Sequence, residues 1–342
     1  MTRSFTFPAS FESALEKALE NYKLSLSDAR TLAKNVLLLS DYFIQNPEGS
    51  TPWKETWAQI AYLCYFLPLN AARLAAVIHE GEKRAFFAGL ENVVDFGAGL
   101  ATASLTLAEK HSLRFHLVEQ ASEPQKLVEN FFPQFQPVGW YRTWPSGSSL
   151  NAKKTLAVFS YSFTELMELP KWAWDYEALM IVEPSTQQDG RRLLELRHQL
   201  LQKGFHAWAP CTHEQACPLL TQSKHDWCHD RIHFTAPAWM QKIEESLPMK
   251  NRTLTMSYLL MRKTPPQPLQ AARIVGDHLA EKGKDRQLIC RGPEREFLAW
   301  MHKNGLKQEI PRGVLVSLPE DGIKVANEIR VQSPITVLES ND

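Results

Sequence analysis

The sequence predicts an α/β protein: a parallel sheet covered on both faces by helices, preceded by a helical region and followed by a small β-rich domain. Three observations carry that prediction. Short apolar runs at residues 93–96, 115–119, 155–160 and 178–183 alternate with stretches of helical spacing. The first run ends in Gly97-Ala98-Gly99, and Leu100, Ala103, Leu107 and Ala108 follow it at helical intervals. A second set of strand-like runs follows a Pro-rich break, Thr264-Pro265-Pro266-Gln267-Pro268.

Ahead of the sheet, residues 11–22, 27–45 and 53–79 place apolar side chains three and four positions apart, which predicts three helices. Asn46-Pro47-Glu48-Gly49 reads as a turn and Thr51-Pro52 as a helix start. The four sheet runs are apolar on both faces, as strands of a doubly covered parallel sheet are. Beyond the break, residues 287–290, 296–300, 314–318 and 329–331 are strand candidates of a barrel-like tail, with a Gly292-Pro293 turn after the first. The expected divisions are a helical region over 1–85, the sheet domain over 86–264 and the tail over 265–342.

Composition narrows the class. At 342 residues the chain is long enough for two domains of ~150 residues each. With 44% hydrophobic and 22% charged residues it buries a core and is not intrinsically disordered. Thirty-eight basic residues balance thirty-eight acidic ones, which argues against a wholesale polyanion binder but leaves room for a local basic face. Five cysteines in a chain of this length are no secreted disulfide scaffold. No uninterrupted apolar run approaches ~18 residues, so no membrane span is expected. The start, with Arg3 and then Glu12 and Glu16, has no targeting character, and a cytoplasmic protein is expected.

A strand that ends in Asp95-Phe96-Gly97-Ala98-Gly99 and opens a helix has a physical use. The glycines let backbone approach a ligand where a Cβ would clash, and the helix start offers free N–H groups. Glu119 ends the next strand, twenty residues past Gly99, where a carboxylate can accept hydrogen bonds from both hydroxyls of a ribose. A dinucleotide fingerprint would want a third small residue where Thr102 stands and has no need of an acid at Asp95. S-adenosylmethionine is therefore the favoured cofactor. The candidate set is Asp95, Gly97, Gly99, Glu119 and Ser160, the last at the carboxyl edge of the third strand. Read alone, the two glycines are also compatible with a bare strand-to-helix turn.

A second motif lies beyond the fourth strand: Ala209-Pro210-Cys211-Thr212-His213, then Cys217-Pro218, then Trp227-Cys228-His229. Five residues separate Cys211 from Cys217, ten separate Cys217 from Cys228, and sixty-one separate Cys228 from Cys290. Four thiolates suit tetrahedral zinc or an iron–sulfur cluster. Structural zinc usually has close Cys-x2–4-Cys knuckles, which are missing here, and a Pro directly after a cysteine is familiar from ferredoxin-type runs. Small buried cysteines without a metal are the remaining alternative. Cys64, between Leu63 and Tyr65, reads as core.

Taken together these residues resemble the small-ribosomal-subunit methyltransferase-like family, bacterial relatives of the mitochondrial small-subunit assembly factor. The matching pieces are Tyr62 to Arg73, the glycine turn, Ile181-Val182-Glu183-Pro184-Ser185-Thr186, the three cysteine motifs, and Arg273-Ile274-Val275-Gly276-Asp277 leading to Cys290. They span roughly residues 55 to 335. The resemblance implies a class I, Rossmann-like methyltransferase fold and adenosylmethionine binding. It also implies association with the small ribosomal subunit and its 16S-type rRNA, and, from the mitochondrial members, a 4Fe–4S cluster whose ligands carry over to Cys211, Cys217, Cys228 and Cys290. Where the family reads Gly-Ala-Gly-Pro-Gly-Thr this chain has Gly97-Ala98-Gly99-Leu100-Ala101-Thr102, and a bulky Leu100 beside the ligand loop is expected to weaken cofactor binding.

Catalysis is less legible. Methyl transfer to a good nucleophile needs little beyond placement. The Asn/Asp-Pro-Pro-aromatic loop that handles exocyclic amines is missing from Ser160 to Glu165, so a non-catalytic RNA-binding or assembly factor is a second expectation. A small-molecule methyltransferase with a zinc site is a third. Residues 241–312 hold 14 basic and 8 acidic side chains, a local +6 that could face phosphates. Trp227, His229 and Trp239 could stack on unpaired bases, with core packing as the alternative.

Overall fold

The computed structural model describes residues 3–338 apart from 47–48, 146, 167 and 249, together with the backbone but not the side chain of Ser10. Pro47 and Glu48 of the expected turn, and Met1 and Thr2, lie outside the described residues.

The chain opens with a strand where only helices are expected. β1 (Ser4–Thr6) is followed by α1 (Ala9–Glu20), α2 (Ala29–Gln45) and α3 (Thr56–Ala61). A π-helical turn, Tyr62–Phe66, then leads into α4 (Leu67–Glu82). By length and composition the continuous stretch Thr56–Glu82 could cross a membrane, but 72% of its most apolar window is buried inside the fold. Its apolar side chains serve the core, which is why α4 is buried on nearly every face.

The sheet domain runs β2 (Asn92–Phe96), α5 (Thr102–Ala108), β3 (Arg114–Val118), α6 (Glu123–Phe131), β4 (Gly139–Tyr141), β5 (Thr155–Ser160) and β6 (Ala178–Glu183). It continues through α7 (Gln187–Gln202), β7 (His206–Ala209), α8 (Pro218–Thr221), β8 (Asp230–Thr235), α9 (Ala238–Glu245) and β9 (Thr253–Arg262). The strand order is β4-β3-β2-β5-β6-β9, with β2 to β6 parallel throughout. The sheet is not wholly parallel as expected. β9 runs antiparallel to β6, and its outer edge pairs first with β8 and then with β7; β1 extends the sheet beyond β8. This order, with an antiparallel strand closing a doubly wound parallel sheet, is the class I methyltransferase topology.

Period-two alternation assigns the two faces. Val93, Leu117, Val158 and Met180 face the layer containing α1–α5 and α9, while Val94, Val118, Phe159 and Ile181 face α7 through Leu193, Leu196 and Leu200. The register aligns Phe96 with Val118 and Phe159, so Gly97, Glu119 and Ser160 emerge side by side at one carboxyl edge.

After the Pro-rich break a second sheet forms from β10 (Ala272–Ile274), β11 (Leu279–Glu281), β12 (Lys284–Cys290) and β13 (Glu296–Met301), then β14 (Leu315–Ser317), β15 (Ile323–Val325), β16 (Glu328–Arg330) and β17 (Thr336–Val337). It is antiparallel except where β13 meets β16, and it closes over Ile274, Ile289, Leu298, Trp300 and Val316. Its ends, β15 and β17, do not pair with each other among the described residues. Buried ion pairs tie it to the first sheet: Arg273 donates to Glu80 on α4 at 2.8 Å, and Arg3 reaches both Glu80 and Asp230.

Candidate functional site

At the carboxyl edge the backbone does what the glycines predict. Gly97 and Gly99 take left-handed φ values of +68° and +49°, and a Cβ on Gly97 would lie 2.5 Å from that of Ser162. The N–H groups of Gly97 and Ala98 both bond to the Val118 carbonyl, which ties the turn to β3. Glu119 then reaches across: its Oε2 accepts from Gly99 N at 3.0 Å and its Oε1 from Ala121 N at 2.9 Å. It is half-buried at the rim, while Gly97 is exposed. An exposed glycine beside a fixed carboxylate is a cradle that fits a ribose-bearing cofactor.

Asp95 serves the site from beneath. It is fully buried, and its Oδ2 accepts from Ser104 Oγ at 2.7 Å, which fixes the start of α5. Burial pushes its carboxyl up to about 7, with the Ser104 hydrogen bond opposing and the Glu119 charge reinforcing the rise. Ser160 completes β5 opposite Val182, so the edge position belongs to the ladder.

Leu100, which the sequence places beside the ligand loop, is 1% exposed and its side chain packs into the first core. The family's second departure has the larger structural consequence: Ala101, where the family carries glycine, holds a left-handed φ of +53°. Several neighbours were not visible in the sequence. Trp53 lies 3.5 Å from the position of a Gly99 Cβ, and Ser162 Oγ donates to the Phe96 carbonyl at 2.7 Å. Tyr161 takes a φ of +57° at the end of β5. Glu183 ends β6 buried, accepting from Phe163 N at 2.9 Å, and burial pushes it up to about 8. Only the positive φ of Tyr161 and the burial of Glu183 mark them, and both are tertiary properties.

The cysteines converge for a topological reason. β7 and β8 flank the same edge of β9, pairing at Leu260 and at Met256 respectively. The loop between them must leave and return across a gap of three β9 residues, so Cys211 and Cys228 stand at its two ends. Ser257 Oγ holds Cys228 by its carbonyl at 2.8 Å. Cys290 ends β12 and is reached by the same loop: Thr212 Oγ1 donates to its carbonyl at 3.0 Å, and His213 Nε2 lies 3.3 Å from its Sγ. Cys217, at the start of α8, packs with Cys228 and Cys290 against Leu194, Leu219 and Phe297.

Burial pushes the Cys217, Cys228 and Cys290 thiols up, and in each the charge of neighbouring cysteine sulfurs adds to the rise. All four cysteines of this region are free thiols. Among the described residues no three His, Cys, Asp or Glu side chains are drawn tightly enough to hold one ion. Tetrahedral zinc, with bonds of ~2.3 Å, needs that tightness. Burial and the Arg197 charge hold His213 down at about 4, so it is neutral beside Cys290. Cys64 is fully buried in the first core and takes no part.

Part of the basic segment is paired with acids elsewhere in the chain. Arg262 pairs with Glu177, Arg273 with Glu80, Arg295 with Asp226 and Lys284 with Glu328, all acids outside residues 241–312. These pairs hold elements together, while Lys242, Arg252, Lys263, Lys282 and Lys303 stay exposed. Trp227 stacks on His229 with centroids 5.2 Å apart and donates to the Ser185 carbonyl at 2.8 Å, while Trp239 is core.

Strand order and the glycine-turn geometry define a methyltransferase-like protein. The chain belongs to the Rsm22 family, described as mitochondrial small ribosomal subunit Rsm22, which it matches over residues 56–301. No curated protein matches it. Similar solved structures include precorrin-6y C5,15-methyltransferase from Geobacter metallireducens, at 11% identity over 54% of this chain and 88% of that one with a TM-score of 0.36. Another is TrmK of M. capricolum in complex with S-adenosyl-homocysteine, at 10% identity over 55% and 69% of the respective chains with a TM-score of 0.31.

Proposed function

We propose that this chain is a cytoplasmic S-adenosylmethionine-binding, methyltransferase-like factor of the small ribosomal subunit that acts on the subunit or its rRNA. In this reading Gly97, Gly99 and Glu119 cradle the cofactor, while Asp95 and Ser160 hold the edge from which they project. Cys211, Cys217, Cys228 and Cys290 hold a 4Fe–4S cluster that ties the β7–β8 loop to the second sheet. The observation that supports the reading is the packing of Cys217, Cys228 and Cys290 into one apolar cluster, with the Thr212 hydroxyl on the Cys290 carbonyl, in a chain of this family. The cluster's contribution is structural, a cross-link closing sixty-one residues of chain. Anaerobically purified protein is expected to be brown, to absorb near ~400 nm, to hold about four irons per chain, and to co-sediment with the small subunit. Colourless protein that carries a single zinc and ignores ribosomes would instead support a small-molecule methyltransferase.

A second reading, a non-catalytic assembly factor that keeps the fold, is favoured by Phe163-Thr164-Glu165 standing where an amine-handling loop would be. Variants Asp95→Ala and Gly97→Ala separate the two. If cofactor binding is lost while subunit maturation proceeds, transfer is not the function.

A further inference from the structure

Arg142 follows β4 directly and is exposed, yet its guanidinium is committed to one short piece of backbone. Nη1 sits within hydrogen-bonding reach of three successive carbonyls, those of Glu119 at 3.3 Å, Gln120 at 3.2 Å and Ala121. Among the described residues it pairs with no carboxylate. The three carbonyls belong to the turn by which the chain leaves β3 at the cofactor edge, and the turn begins with a backbone link to β4, from Glu119 N to the Tyr141 carbonyl at 2.9 Å. Three successive carbonyls reach a single nitrogen only where the backbone curls around it. The consequence runs through one planar peptide. The Gln120 carbonyl and the Ala121 N–H belong to the same trans unit and point to opposite sides of the chain. Arg142 takes the carbonyl, so the N–H is turned the other way, to Glu119 Oε1 at 2.9 Å. Gly99 N meets Glu119 Oε2 at 3.0 Å. With one N–H on each oxygen the carboxylate is fixed in place, and a carboxylate has lone pairs enough to accept two hydroxyls besides.

Resting on the cofactor reading above, we infer that Arg142 is a positioning residue for Glu119: it holds the 119–121 turn in the one peptide orientation that presents the carboxylate to a ribose diol. It touches the backbone of the turn and acts on the ligand through the Glu119 side chain. Without its charge, three converging carbonyls beside a carboxylate repel one another, and the Gln120–Ala121 peptide is free to turn over and withdraw its N–H from Oε1. The carboxylate then keeps one fixed donor instead of two and has to be ordered when the diol binds, a cost of the size of one immobilised side chain. An ammonium brings three donors to one point, so Lys fits the same three carbonyls; an uncharged side chain does not.

Calorimetric titration with S-adenosylmethionine and with S-adenosylhomocysteine tests this on wild type, Arg142→Ala, Arg142→Lys, Glu119→Ala and the double variant Arg142→Ala/Glu119→Ala. Arg142→Ala is expected to weaken both ligands by roughly three- to tenfold, and Arg142→Lys to restore most of that loss. Because Arg142 acts through Glu119, its removal should cost nothing further in the Glu119→Ala background. The melting temperature of Arg142→Ala should stay near that of wild type, since the side chain is exposed. Wild-type affinity in Arg142→Ala would overturn the inference. An equal loss with and without Glu119 would overturn it too, by showing that the guanidinium meets the ligand itself. Were Arg142→Ala not to fold, the same cycle with Arg142→Gln decides in its place. Either overturning result leaves the cofactor reading intact, whereas a wild-type chain that binds neither ligand sinks that reading and this role with it.

Discussion

At Gly97 and Ala101 one turn carries two left-handed residues of opposite fitness. Gly97 has no Cβ, and adding one would drive it into Ser162 at 2.5 Å; Ala101 has one and holds φ at +53° regardless. A left-handed alanine costs ~1–2 kcal/mol relative to the ordinary helical region. Ala101→Gly is therefore expected to stabilise the protein by ~0.5–1 kcal/mol, net of glycine's extra unfolded-state entropy. Gly97→Ala should destabilise it by ~1–3 kcal/mol and abolish adenosylmethionine binding. Urea denaturation and calorimetric titration of the cofactor check both. Asp95 gives a pH signature of definite sign. Its folded value, about 7, lies above the unfolded 3.8, so the folded state binds the proton more tightly. Its contribution is fully present at low pH and is lost as pH rises through about 7. Glu183, raised to about 8, acts in the same direction. Between pH 5 and pH 8 the melting temperature should fall, and Asp95→Asn should flatten that fall; an unchanged slope would mean the buried carboxyl is not the titrating group.

Helix α7 shows what an element contributes as a unit. Leu193, Leu196 and Leu200 face the sheet, while Gly190, Leu194 and Arg197 face the cysteine loop. A Cβ on Gly190 would lie 2.5 Å from Trp227 Cδ1. Gly190→Ala should therefore displace Trp227 and destabilise the fold by ~1–3 kcal/mol, the usual range for overpacking. Limited proteolysis should then cut within residues 210–229 faster than in wild type; equal cutting would show that the stack on His229 holds the loop without help from α7. The apolar runs at 155–160 and 178–183 were fully readable as strands because continuous apolarity is what double burial demands. β1 was not, since a three-residue edge strand has too short a pattern to distinguish from coil. Nor was the antiparallel course of β9, because direction belongs to pairing and leaves no mark on composition.

Across the whole molecule the two sheets are joined through buried charge. Arg3 pairs with Asp230 at 2.6 Å and Arg273 with Glu80 at 2.8 Å, linking β1, α4, β8 and β10. Burial alone would raise Glu80, but Arg273, Arg3 and Lys83 outweigh it and hold the carboxyl at about 2. Its stabilising effect is present above the usual carboxylate range and is lost as pH falls toward 2. Removing one member of a buried network leaves the others unpaired, so Glu80→Gln is expected to cost ~3–5 kcal/mol. The loss should appear as earlier release of the second sheet in hydrogen exchange across residues 272–337. Uniform loss over the whole chain would mean that the two sheets unfold as one unit.

By itself the sequence determined the local chemistry: the apolar runs that form the central parallel strands and the glycine turn that follows the first of them. Those features follow from side-chain type and spacing, and both are properties of the chain alone. Only the tertiary structure decided which of them meet. Pairing of β7 and β8 on one edge of β9 sets Cys211 and Cys228 at the two ends of one loop and the second sheet brings Cys290 to that loop, while Arg197, unremarked in a helical stretch, donates to Cys211. Long-range pairing is set by the joint burial of distant segments, so no window of sequence contains it.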